Sequence, residues 1–89
     1  MATMFIRHTV ADYAAWRRTY DDFGPTRDGL GVTDAAVYQA DGAPNDVTVT
    51  HEFPSLDAAK AFAGGPELRT AMHDAGVVGA PTIWFAERV

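Results

Sequence analysis

The stretch Asp46-Val-Thr-Val-Thr-His-Glu-Phe53 alternates with a period of two. Val47, Val49, His51 and Phe53 fall on one side of an extended chain, and Thr48, Thr50 and Glu52 on the other. β-Branched Val and Thr suit a pleated surface, so the stretch predicts a strand with one covered and one open face. Thr3 to Val10 repeats the pattern, setting Met4, Ile6, His8 and Val10 against Phe5, Arg7 and Thr9. In both strands a histidine stands where the period calls for an apolar residue, which puts a titratable ring on the covered face. Val32 to Ala40, carried by Ala35, Ala36, Val37 and Tyr38, predicts a further strand. Thr82 to Arg88 predicts the last, with Ile83, Phe85 and Glu87 alternating against Thr82, Trp84 and Ala86.

Helical periods lie between the strands. Tyr13, Trp16, Tyr20 and Phe23 are spaced 3, 4 and 3 apart, one aromatic stripe with Arg17, Arg18, Asp21 and Asp22 turned outward. Asp12 precedes it as an N-cap, its carboxylate able to accept from the free amides of the first turn. Leu56, Ala59 and Phe62 form the inner face of a short helix capped by Ser55. Gly64-Gly-Pro66 breaks it, and Pro66 opens a second helix with Leu68, Met72 and Ala75 inward. Gly76 ends that helix as a left-handed cap. Gly24 to Gly31 holds three glycines and a proline and reads as a loop, long enough to form a lid. Asp41 to Asp46 reads as a hairpin loop in which Asn45 and Asp46 serve the turn, and Val77 to Pro81 as a crossover.

The resulting order, β-α-β-β-α-α-β, predicts an α+β, ferredoxin-like domain spanning residues 1–89. It has one four-stranded antiparallel sheet, with right-handed crossovers placing the helices on one face. The other face carries Phe5, Arg7, Thr48, Thr50, Glu52 and Trp84, with Arg7 and Glu52 expected to pair across strands. That mixed surface is expected to meet the same face of a second copy, giving a homodimer.

Charge narrows the partners. Seven Lys and Arg against twelve Asp and Glu, net −5, argue against nucleic acid and against an anionic membrane surface. No run approaches the length of a membrane span, and the first residues lack the basic and apolar regions of a signal peptide, so a cytoplasmic protein is expected. There is no cysteine, hence no thiolate chemistry.

Two histidines on one covered face, on neighbouring strands, are the candidate chemistry. His51 and His8 are either a neutral base and its polar anchor in an apolar pocket, or two structural rings satisfied by backbone or by solvent at a strand end. No carboxylate shares their face, so a zinc site is not expected. His73 is expected at the surface of its helix. Trp16, Tyr20, Tyr38, Phe62 and Met72 are candidate ligand-binding residues, able to shape a site for a flat aromatic molecule or simply to fill a core. A phosphate-binding loop and a Ser/His/Asp order are absent, and no cofactor is expected.

The segments Asp12-Tyr13-x-x-Trp16, Pro44-Asn45-Asp46-Val47 and Pro66-Glu67-Leu68-Arg69 leading into Ala75-Gly76-Val77 resemble short proteins of the dimeric α+β barrel superfamily. These are often described as cyclase-like or antibiotic-biosynthesis-monooxygenase-like, and the resemblance covers nearly the whole chain. It implies a homodimer with a pocket between sheet and helices, near His8, His51 and the aromatic stripe. It further implies a small aromatic or polyketide-like ligand. The activity implied is a cofactor-independent cyclase or monooxygenase, or else non-enzymatic metabolite binding or a stress-associated role. In plant polyketide cyclases of the superfamily a Tyr and a His near the second helix act on the substrate. The matching positions here are Phe62 and Leu68, so that pair is not implied.

Overall fold

The structure, a computed structural model, describes residues 1–89. Its elements are β1 (Ala2–Val10), α1 (Tyr13–Asp22), α2 (Gly24–Gly29), β2 (Asp34–Ala40), β3 (Ala43–Phe53), α3 (Leu56–Gly64), α4 (Pro66–Asp74) and β4 (Val77–Glu87). All strand pairs are antiparallel, in the order β2-β3-β1-β4, so the two histidine-bearing strands are the two central ones. The architecture is the ferredoxin-like α+β arrangement expected from the sequence, with one helix more.

That extra helix is α2. Glycine content favoured a loop at 24–31, but Pro25 in the first turn presets the helical φ, and helical geometry runs on to Gly29. Arg27 of this helix is buried, whereas its neighbours Thr26 and Asp28 are exposed. The longer helices end as their sequences predict. Asp12 accepts from the Ala15 amide at 3.0 Å and Ser55 from the Ala58 amide at 3.2 Å. Gly76 follows α4 at φ 78°, where a side chain would be strained.

The alternation in β1 and β3 is realised residue by residue. Ala2, Met4, Ile6, His8 and Val10 of β1 are buried, as are Val47, Val49, His51 and Phe53 of β3. Full burial of each large apolar side chain in these rows stabilises the fold by about 1.5–3 kcal/mol. The core has two centres. One gathers Met4, Ile6, Phe53, Phe62 and Leu68 under α3 and α4. The other gathers Val10, Trp16, Val47, Val49 and Ala75 under α1.

Two strands depart from the expected bounds, and both departures are bulges. Gln39 pairs with Val47 and Ala40 with Ala43, which leaves Pro44, Asn45 and Asp46 of β3 outside the β2 ladder, with only the Gln39 side chain donating to the Pro44 carbonyl at 3.1 Å. The hairpin therefore turns at Asp41-Gly42, with Gly42 at φ 75°, and not over the whole of 41–46. Asn45 and Asp46 serve other elements instead. Asn45 Oδ1 accepts from the Tyr13 amide at 3.1 Å, and Asp46 holds Arg7 through two bonds of 3.0 and 2.7 Å. The expected Arg7–Glu52 pair is thus replaced by Arg7–Asp46: Thr48, not Glu52, stands opposite Arg7 in the register. On the other side of β1, Arg7 pairs with Thr82 and Thr9 with Val78, so β4 bulges at Gly79-Ala80-Pro81 opposite His8. The segment expected as a crossover is already strand, because Val77 and Val78 pair with Val10 and Thr9 before the bulge.

Candidate functional site

A cavity of about 40 Å³ lies where the two core centres meet. Ile6, His8, Val49 and His51 form its floor on the sheet. Trp16, Tyr20 and Phe23 supply one wall from the end of α1, Leu68, Met72 and Ala75 the other from α4, and Arg27 of α2 reaches in beside them. The volume holds about three water molecules, so a flat ring enters only if the walls give.

His8 and His51 share this floor because a period of two carries both to the helix side of adjacent strands. They are 6% and 3% exposed. Each ring meets an aromatic: His8 lies edge-on to Trp16 at 5.7 Å, and His51 lies 5.3 Å from Phe62. Both nitrogens of His8 and Nδ1 of His51 are sealed from solvent without a hydrogen-bond partner. Such orphaned buried polar atoms are uncommon and point to a ligand, to water or to strain. Burial lowers the His8 pKa below its usual value. It lowers that of His51 to about 4, with the charge of Arg27 and then His8 adding to the effect. Both rings are therefore neutral at pH 7.

Trp16, Tyr20 and Met72 line the cavity as the aromatic and apolar stripes predict. Trp16 and Tyr20 stack at 5.0 Å. Burial raises the Tyr20 pKa, opposed by Arg27 and Arg17. Phe62 stands behind His51 in the core and not on the cavity wall. Tyr38 is not brought to the site: it is 57% exposed and pairs with Thr48 on the open face of the sheet. His73 sits exposed in the last turn of α4. No three His, Cys, Asp or Glu side chains cluster closely enough to hold a metal ion.

Sequence reasoning missed Arg27. Its guanidinium lies over the Tyr20 ring at 3.9 Å and donates from Nη1 to the Tyr20 carbonyl. In a segment read as a loop, no periodicity marks an arginine as inward. The available signal was chemical: a cation one helical turn past the aromatic stripe has ring faces to lie on.

Fold and cavity together define a ferredoxin-like α+β domain with a helix-covered apolar site on its sheet. No sequence-family model matches the chain, and no curated protein matches it by sequence. Solved structures match along its whole length. Superposition on SnoaB, a cofactor-independent oxygenase of Streptomyces nogalater, gives a TM-score of 0.75 at 13% identity, covering 99% of this chain and 94% of that one. A Bordetella bronchiseptica protein provisionally named an antibiotic biosynthesis monooxygenase gives 0.82 at 14% identity, with 99% and 97% covered. Rv0793 of Mycobacterium tuberculosis gives 0.71 at 17% identity, with 99% and 94% covered. The chain thus has the fold of the antibiotic biosynthesis monooxygenases, as its motifs led one to expect. No helix is long and apolar enough to cross a membrane.

Proposed function

We propose that the protein binds an aromatic or polyketide-like small molecule in the cavity between sheet and helices and takes a proton from it without a cofactor. The observation that carries this is the pair of buried, neutral histidines, with three ring nitrogens lacking partners, at the floor of an apolar cavity. Nε2 of His51, the one nitrogen of the pair outside that orphaned set, is the candidate base. A ring held at a pKa of about 4 is a weak base at rest. It gains strength when the proton it accepts leaves an anion beside it, since the new imidazolium and Arg27 then face an opposite charge in a dry site. The C–H or O–H proton passes to Nε2, and its electron pair stays on the substrate as an enolate or phenolate. From there, attack on a carbonyl of the same molecule is cyclisation, and electron donation to dioxygen, as co-substrate, is oxygenation. The fold shared with a cofactor-independent oxygenase supports this direction.

The alternative function is binding alone, with a small metabolite held in the same cavity of about 40 Å³. A thermal-shift screen over flat aromatic acids, phenols, quinones and flavins, run beside His51→Ala, separates these functions from a filled core. A ligand at 100 times its Kd adds about 2.7 kcal/mol to stability. A shift that disappears in the variant supports the site, and turnover of the same compound distinguishes enzyme from binder. If no compound shifts the wild type, the cavity is a packing defect and both functions fall.

The protein is further proposed to act as a homodimer through the open face of its sheet. Trp84 is 42% exposed there and stacks on Phe5 at 5.2 Å; Val78, farther along β4, and Tyr38, on the opposite edge strand, are exposed on the same face. Stacked aromatics on an uncovered sheet mark a surface that gains from being covered.

A further inference from the structure

Among the thirteen residues lining the cavity, Arg27 alone carries a fixed charge, and no carboxylate answers it. The ion pairs of the molecule are Arg7–Asp46 and Arg17–Asp21. Asp21 and Asp34 are felt electrostatically at Tyr20, yet neither is within ion-pair reach of Arg27. As a whole residue Arg27 is 8% exposed, and none of its side-chain nitrogens is among the sealed, partnerless atoms. Its protein partners are one carbonyl, that of Tyr20, and the ring faces of Tyr20 and Phe23 at 3.9 and 5.8 Å. A guanidinium has five N–H donors in a planar fork, so most of this one's donor capacity is unused. Buried charges are normally paired, and a buried arginine without a counter-ion is the kind of group that a ligand completes. The neighbouring histidines make the same demand, since three of their nitrogens lack partners and a neutral imidazole carries one N–H in need of an acceptor.

We propose that the cavity recognises a small planar organic acid, whose carboxylate or enolate oxygen takes Arg27 as its counter-ion while its apolar body lies among Trp16, Leu68 and Met72. The inference rests on the pocket proposed above and names the charge of what the pocket takes. A planar oxyanion matches the fork of the guanidinium, and an N–H of His51 or His8 supplies a second donor. The apolar walls select against hydrated inorganic anions, which leave no surface to bury there. For a substrate that loses its proton to His51, the same contact holds the developing oxyanion, which makes Arg27 a specificity-determining residue for the proposed reaction.

The test compares ligands of one shape and different charge. Benzoate and benzamide are titrated into the wild-type protein at pH 7, with the Trp16 indole N–H followed by NMR. Acetate and acetamide repeat the comparison at a size nearer that of the cavity. Hydrogen bonds to a charged group exceed neutral ones enough that the acid should bind about tenfold more tightly than its amide or better. Arg27→Met, which keeps the aliphatic length without the charge, should bring the acid down to the level of the amide, and Arg27→Lys should restore part of the difference. The wild-type comparison stands even if the methionine variant fails to fold. Equal affinity for acid and amide overturns the charge assignment and leaves the pocket intact. A Trp16 signal unmoved by all four compounds overturns the pocket and this inference with it.

Discussion

The buried histidines make the stability of the fold depend on pH. His51 titrates at about 4 when folded, against 6.5 for the free side chain. Between those values the unfolded chain binds a proton that the folded one refuses, so stability falls as pH drops from 6.5 towards 4 and is complete above 6.5. The gap corresponds to about 3 kcal/mol, a large part of the stability of a small domain. His8, lowered by burial alone, acts in the same direction. Urea unfolding of His51→Gln should therefore show a weaker loss of stability between pH 7 and pH 4 than the wild type, by about 3 kcal/mol. Parallel pH profiles for the two proteins would contradict the buried, neutral state of the ring. These two residues were legible before the fold was known, because each breaks a period-two row whose other members are apolar. Arg27 was not. Its place depends on α2 folding back over the end of α1, and nothing within residues 24–31 encodes that packing.

At the scale of the element, local signals held where the partner is local. The caps at Asp12 and Ser55 reach only three residues along the chain, and both form as their sequences imply. Asp12→Ala should cost about 1 kcal/mol, seen as a lower urea midpoint with an unchanged slope; an unmoved midpoint would mean that α1 is held by its aromatic stripe alone. Pro44-Asn45-Asp46 shows the opposite case. Its composition is that of a turn, but Asn45 answers the Tyr13 amide, 32 residues away, and Asp46 answers Arg7, 39 residues away. The extra residues leave the β2 ladder in order to reach α1 and β1. A similar excess at Gly79-Ala80-Pro81 was hidden because Gly and Pro together read as a break in a strand, where the structure uses them as a bulge within one.

For the whole molecule, the covered face of the sheet is accounted for by the helices and the open face is not. Burying Trp84, Phe5 and Tyr38 against a second copy would remove the largest exposed aromatic surface of the chain. Trp84→Lys should convert a dimer into a monomer in sedimentation at micromolar concentration while leaving the helix-side cavity in place. A wild-type protein that sediments as a monomer there would sink the proposed assembly. The overall topology was readable because apolar periods, caps and breakers agree with one another along most of the chain. The assembly is less so, since a face of Thr, Arg, Phe and Trp serves water and a partner alike.

The two tryptophans of the chain stand on opposite sides of the sheet. Trp16 is sealed against His8 beside the cavity, and Trp84 lies half in water on Phe5. Their fluorescence therefore divides by colour, a blue emission from the dry indole and a red one from the wet indole. With Trp84→Phe the remaining light reports only on occupancy of the cavity. With Trp16→Phe it reports only on whether two chains have met.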